Sequence, residues 1–432
     1  MQTLEFDRLQ ETLYHEELPN GLQVFVLPKK GFSKTYVSFT TKYGSIDNTF
    51  IPLGKKEKVR VPDGIAHFLE HKMFEKEDGD VFQKFGMNGA SANAFTSFTR
   101  TAYLFSATEN LYPNTELLLD FVQSPYFTEQ TVEKEKGIIG QEITMYDDNP
   151  DWRSYFGAIE NLYKDHPVKI DIAGTVDSIA DITADHLYEC YHTFYHPSNM
   201  LVFAVGAVDP EEMMEFIRSN QAKKTFDKPE PIVREYPKET AAADVPARSI
   251  EMDVSKPKVQ VGIKLPANDL TGVEALKHEL ASEILLDLLF GRTSDFFTEA
   301  YDEGLIDESF STEYSAETGF AFAVIGTDSN EPDKFAEKVK ATLRGASEKF
   351  PFGQDALDRQ IRRRTGLFLR ALNSIEYIAN QFTRYAFNGM NLFDTVPALE
   401  SLQVKDLQDA LEPLADEQAW TVFQVLPDGK GE

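Results

Sequence analysis

Apolar positions near the start of the chain recur with the spacing of strands. Residues 23–27 form a short β run behind the turn signal at 18–22, where Pro19 and the Asn20-Gly21 pair punctuate the chain. Residues 35–43 alternate and are rich in Thr, Tyr, Val and Phe, the pattern of a half-buried strand ending at Gly44. The period then lengthens. Residues 64–75 predict a helix, 82–85 a short second one, and 101–105 a strand. Helices follow over 111–123 and 129–146, the latter stopped by Asp147-Asp148-Asn149-Pro150. A helix over 182–194 precedes the wholly apolar strand 200–206, and Asp209 is placed to cap the next helix.

Between about residues 219 and 249 Lys, Pro, Glu and Ala dominate, apolar periodicity is lost, and a linker is expected. After it the earlier order returns: strand 259–265, helix 275–290 up to Gly291, short helix 294–303 up to Gly304, strands 310–314 and 320–326, and helices 333–350 and 354–371. The repetition predicts an internal duplication. The expected fold class is α+β: two homologous α/β domains in tandem, each a mixed, mainly antiparallel sheet packed with helices. The boundaries fall at 1–220 for an N-terminal domain, 221–248 for the linker and 249–432 for a homologous C-terminal domain.

Composition narrows the function. With 42% hydrophobic and 12% aromatic residues the chain builds sizeable cores and is not disordered. Its 43 Lys+Arg against 71 Asp+Glu give a net charge of −28, which excludes the basic footprint of the usual nucleic-acid binder. No apolar run reaches the roughly 18 residues of a membrane span. The opening Met1-Gln2-Thr3-Leu4-Glu5-Phe6-Asp7 lacks the basic and apolar regions of a secretory signal. The single cysteine, Cys190, excludes an internal disulfide and fits a reducing cytoplasm; it reads as a small buried residue. If part of the acidity lines a substrate space, basic peptides would be favoured.

The chemistry concentrates in His67-Phe68-Leu69-Glu70-His71, an H-x-x-E-H motif. On a helix, residues four apart share a face, so His67 and His71 offer two imidazoles to one ion. Glu70 stands beside them, where a carboxylate can take a proton from the metal's water. This order of residues is the inverzincin signature. A catalytic zinc also needs a third protein ligand. Glu135 and Glu142 lie seven apart on one face of the 129–146 helix. One would ligate the metal and the other support a histidine ligand, and spacing does not choose between them. The other histidines (His15, His166, His186, His192, His196 and His278) read as structural.

With these motifs the chain resembles the pitrilysin/insulysin type of zinc peptidase. The nearest likeness is to the short-subunit branch with the mitochondrial processing peptidases and bacterial relatives, among them Firmicute-type cytosolic members. The resemblance runs through Leu18-Pro19-Asn20-Gly21-Leu22, the His67 to His71 motif, Gly89-Ala90-Ser91-Ala92-Asn93-Ala94, Glu135 with Glu142, Gly174-Thr175, and Tyr195 to Met200 leading to Gly206. It is strong to about residue 217 and weak beyond. It implies a zinc endopeptidase of the bacterial cytoplasm that takes one Zn2+ per chain on His67, His71 and Glu142. Glu70 is then the general base on zinc-bound water and Glu135 the acid supporting a ligand. The stretch 91–96 becomes an edge strand that takes the substrate peptide as an added strand, with Asn93 and Ala94 at its centre. It also implies a closed dimeric chamber that admits short or unfolded peptides, with neither nucleic acid nor membrane as partner.

One departure stands out. Relatives carry an Arg and, seven residues on, a Tyr in the C-terminal half, which bind substrate and stabilise the oxyanion. Aligned on Gly304-Leu305, those positions hold Ala300 and Asp307. An oxyanion needs a donor or a positive neighbour. A heterodimer with a paralogous subunit that lacks the zinc motif but carries the Arg/Tyr pair is therefore expected. The alternative is a homodimer using Tyr301, Arg292 or Arg384.

Overall fold

The computed structural model describes residues 1–267 and 270–429. The chain opens with strands β1 (Gln2–Phe6), β2 (Glu11–Glu17), β3 (Gln23–Pro28) and β4 (Thr35–Thr41), followed by helices α1 (Ile65–Met73) and α2 (Val81–Met87). Strands Ser91–Thr96 and Thr101–Ala107 form a hairpin before helices α3 (Leu111–Val122), α4 (Glu129–Asp147) and α5 (Pro150–Leu162). The apolar strand Met200–Gly206 and the Asp209 cap stand where the sequence puts them, the Asp209 carboxylate accepting from the Glu212 N–H at 2.9 Å.

The chain divides into two compact units. The first comprises Met1–Ile143, Asp171–Glu235 and Leu369–Phe387. Its seven-stranded sheet runs β1, β2, β3, Met200–Gly206, β4, Thr101–Ala107, Ser91–Thr96. All neighbouring pairs are antiparallel except β3 with Met200–Gly206. One face carries a core that includes Val37, Phe39, Val202, Ala204, Phe68 and Leu69. β4 is buried at every position rather than half-buried, and the reason lies in its other face. The helix Ile375–Phe387 packs there against β4 and Met200–Gly206. Phe382 stacks on Phe203 at 4.8 Å, and the Tyr36 hydroxyl donates to Asn380 at 3.3 Å. A strand whose alternation suggests one wet face is thus covered on both.

The second unit comprises Thr144–Ile170, Tyr236–Phe368 and the chain from Asn388. Its five-stranded sheet runs Ala247–Met252, Trp420–Pro427, Lys258–Leu265, Phe320–Asp328, Ser311–Glu317. Numbered along the chain these strands stand in the order first, fifth, second, fourth, third, with only the first and fifth parallel. The five strands from β3 to Met200–Gly206 follow the same order in the first unit. The duplication inferred from element order is therefore repeated in strand topology, and the mixed, mainly antiparallel α/β class holds.

The compact units do not follow a cut between 220 and 249. The first sheet takes Ile375–Phe387 from the C-terminal half, and the second takes α5 from the N-terminal half, packed on Lys258–Leu265 and Trp420–Pro427. The expected linker also has structure: Val233–Arg234 pairs with Phe50 and Ile51. Further along, the Glu239 carboxylate accepts from the N–H groups of Asp165 and His166 at 2.7 Å each and from the Lys264 ammonium at 2.7 Å. Among the described residues no helix is long and apolar enough to cross a membrane.

Candidate metal centre

α1 owes its place to a close backbone contact. Gly64 precedes it at φ 88°, and a Cβ there would lie 2.3 Å from the Ala173 carbonyl oxygen. Gly174, at φ 74°, faces Asp63 in the same way, so the Gly174-Thr175 pair seats the start of this helix. Thr175 then caps the next short helix in a capping box with Ser178. Ile65, Phe68, Leu69 and Met73 point α1 into the core, which turns His67, Glu70 and His71 the other way. On α4, Val132, Ile139 and Ile143 make the buried stripe, and Glu135 shares it. Glu142 stands beside that stripe, aimed at the histidines.

His67, His71 and Glu142 form a group whose ligand atoms all lie within 4.8 Å of one another, the one such group among the described residues. His67 Nε2 is 3.8 Å from Glu142 Oε1, and His71 Nε2 is 3.6 Å from Glu142 Oε2. These separations are too long for hydrogen bonds. They are close to the roughly 3.4 Å between neighbouring ligand atoms on a tetrahedral ion with bonds near 2.1 Å. Glu135 is placed differently: its Oε1 lies 3.2 Å from His71 Nδ1, which leaves Nε2 for a metal. The donor set of two imidazoles and a carboxylate fits zinc. Glu142 faces the Nε2 atoms of both histidines, and Glu135 lies behind His71 at Nδ1.

The electrostatics separate the two histidines. Burial, with the charge of His71 adding, pushes His67 down to about 3, so it stays neutral. Burial also opposes charge on His71, but the Glu135 hydrogen bond and the carboxylates of Glu70, Glu142 and Glu135 outweigh it and raise His71. Glu70 is 8% exposed, and burial raises it to about 7, helped by Glu142 and opposed by Thr96 and His71. Its Oε2 accepts from the Thr96 hydroxyl at 2.6 Å. Thr96 is a contact that the motif reading missed. The alternation along Asn93-Ala94-Phe95-Thr96 puts Thr96 on the face of Ala94, which is as far as the sequence signal goes.

Ser91–Thr96 is the end strand of its sheet, as expected of a strand that can be extended. Asn93 is exposed, and its Oδ1 accepts from the Ala94 N–H at 2.9 Å. The Tyr195 to Met200 stretch is architectural: Tyr195 bonds the Tyr103 hydroxyl at 2.7 Å, and Asn199 donates to the Lys42 and Phe194 carbonyls. Cys190 is fully buried, and burial pushes its thiol up to about 12. In the second unit Ala300 is wholly buried, and Asp307 pairs with Lys256 at 2.6 Å. Arg292 and Tyr301 line one cleft of about 940 Å³ there with Phe297 and Arg363, whereas Arg384 belongs to the first unit, over the Tyr385 ring.

An inverted histidine pair on one helix, a carboxylate from a second helix and a free strand edge beside them are the parts of a metallopeptidase centre. Comparison with known proteins is more specific. Residues 50–176 match the family model described as Insulinase (Peptidase family M16), and residues 181–364 match Peptidase M16 inactive domain. The chain is 60% identical to zinc protease YmfH of Bacillus subtilis (strain 168), over 98% of its own length and 99% of that protein. An M16-like peptidase from Alicyclobacillus acidocaldarius has a crystal structure that matches with a TM-score of 0.93 at 38% identity, covering 99% of this chain and 100% of that one. A protease from Helicobacter pylori shares the fold, with a TM-score of 0.83 at 23% identity over 96% of this chain and 99% of that one. The chain belongs to peptidase family M16, the pitrilysin type, in its short-subunit branch.

Proposed function

We propose that the chain is a zinc-dependent endopeptidase of short or unfolded peptides in the bacterial cytoplasm, with one Zn2+ held by His67, His71 and Glu142. The observation that carries this reading is the convergence of those three side chains beside a buried Glu70. When bound, zinc supplies a Lewis acid that polarises the scissile carbonyl and acidifies water. Glu70 is the general base. It takes the proton of the attacking water as the water oxygen adds to the carbonyl carbon, and returns it to the amine nitrogen as the C–N bond breaks. Glu135 holds His71 with Nε2 forward. The edge strand Ser91–Thr96 takes the peptide by backbone hydrogen bonds around Asn93 and Ala94. The repeated halves are the zinc-binding 1–220 and the metal-free 249–432, joined through 221–248.

A second reading concerns completeness. The buried Ala300 and the ion-paired Asp307 supply no oxyanion donor. The match of residues 181–364 to a model described as inactive favours the same view. The chain then works in a closed dimeric chamber with a paralogous subunit that lacks the zinc motif and carries an Arg/Tyr pair; a homodimer drawing on Arg292, Tyr301 or Arg384 is the alternative. The experiment is cleavage of fluorescence-quenched peptides by zinc-loaded protein. Glu70→Gln is expected to keep its zinc and lose about 10²–10⁴-fold in rate. Full activity of Glu70→Gln sinks the assignment of the base. Full activity of the chain alone, unchanged on adding the paralogue, sinks the heterodimer.

A further inference from the structure

We infer that Thr96 is a positioning residue for the reaction: its hydroxyl holds one oxygen of Glu70 so that the other is left to carry the proton. The inference rests on the peptidase reading above. Side chains alternate along a strand, so Ala92, Ala94 and Thr96 share a face. Ala92 and Ala94 pack on the core there, and α1 lies against the same strand. Their methyl groups admit the helix closely, and two residues beyond Ala94 the strand presents a hydroxyl where α1 presents Glu70.

Thr96 Oγ1 donates to Glu70 Oε2 at 2.6 Å, a charge-assisted length, and it is the only hydrogen bond to that carboxyl among the described residues. The strand that carries the hydroxyl is anchored through its ladder neighbour. Thr101 stands opposite Thr96 in the ladder, with the two Oγ1 atoms 3.3 Å apart. Thr101 is wholly buried and donates to the Tyr43 carbonyl at 2.9 Å. Oε2 accepts from Thr96 whether Glu70 is ionised or has taken a proton on Oε1, so the bond persists through both proton transfers. Without it the carboxyl turns on a broad, roughly two-fold terminal torsion. The base is then present but unaimed. Thr96 also lies on the strand proposed to receive the peptide, so seating substrate and aiming the base depend on one element.

The test compares Thr96→Val, Thr96→Ala and Thr96→Ser with wild type and Glu70→Gln, all zinc-loaded, on a fluorescence-quenched peptide. Val and Ala are expected to lower kcat about tenfold to a hundredfold, with KM, zinc content and melting temperature close to wild type. Ser, which keeps the hydroxyl, is expected to restore kcat, and Thr96→Val is expected to add nothing to Glu70→Gln. A wild-type kcat in Thr96→Val while Glu70→Gln is strongly impaired overturns the role of Thr96 alone; full activity in Glu70→Gln overturns the assignment of Glu70 as the base, on which that role rests. A crystal structure of zinc-loaded Thr96→Val decides the matter if the chain needs a partner for turnover. The Glu70 carboxyl is expected to rotate away from its wild-type position, and an unchanged carboxyl overturns the inference.

Discussion

A histidine proposed to ligate through Nε2 needs an acceptor for its Nδ1 proton, and the Glu135 carboxylate lies 3.2 Å from Nδ1 of His71. Glu135→Gln keeps an acceptor but removes its charge. It is expected to weaken zinc binding about 10- to 100-fold, measured by competition with a chromophoric chelator. Glu142→Gln alters the proposed ligand itself and should weaken binding more; the reverse ranking would exchange the two roles. The motif was readable because the helical period fixes His67 and His71 on one face whatever surrounds them. That period also put Glu135 and Glu142 on one face, so it could not rank them. Their distances to particular ring nitrogens tell them apart in space, Glu135 lying at Nδ1 of His71 and Glu142 at the Nε2 atoms. Strand alternation assigns Thr96 the face of Ala94 but does not by itself name Glu70 as its partner, because the contact joins a strand to a helix 26 residues away.

At the scale of elements, most of the period-based expectations coincide with structure, from β3 to the helix Gln354–Ala371. The sequence reading omitted α5, and the cause is visible. Asp147-Asp148-Asn149-Pro150 reads as a helix stop, but it also starts the next helix. The Asn149 side chain accepts from the Asp151 N–H at 3.0 Å and the Trp152 N–H at 3.2 Å, and Pro150 takes the first turn. α5 meets its sheet through Gly157, where a Cβ would stand 2.2 Å from the ring of the wholly buried Phe423. In an exposed helix Gly→Ala stabilises. Here Gly157→Ala is expected to destabilise by about 1–3 kcal/mol through overpacking, and a raised melting temperature would contradict the contact. The expected linker also carries a pH-sensitive clasp. Burial works against charge on Glu239, yet the Lys264 ammonium and the backbone N–H groups of Asp165, His166 and Lys164 hold it down at about 2. Its folded value lies below the ordinary 4.5, so its stabilisation is fully present above about pH 4.5 and lost as pH falls toward 2. Glu239→Gln should therefore lower stability at pH 7 and flatten the acid loss between those limits, as followed by urea unfolding across pH. An unaltered acid limb would contradict the clasp.

For the whole molecule, the duplicated order of elements was legible because each half repeats its own local periods, and the strand order of the two sheets repeats it in space. Which helix covers which sheet was not legible, because packing across the halves leaves no periodic trace in either. The net charge of −28 remains the plainest global property. If it acts on substrates, Lys/Arg-rich peptides should be cleaved faster than Asp/Glu-rich ones of equal length, and the gap should shrink with added salt. Equal rates at low salt would leave the charge a matter of solubility.

The crossed helices also set a timetable for synthesis. The first sheet is complete once Gly206 has been made, but the helix that covers its outer face ends at Phe387. A ribosome adding roughly 5–20 residues per second leaves that face bare for about ten seconds or more. The sheet can close only when most of the protein has emerged, so the nascent chain must keep Phe25 and Phe203 from other partners until Phe382 arrives to lie on them.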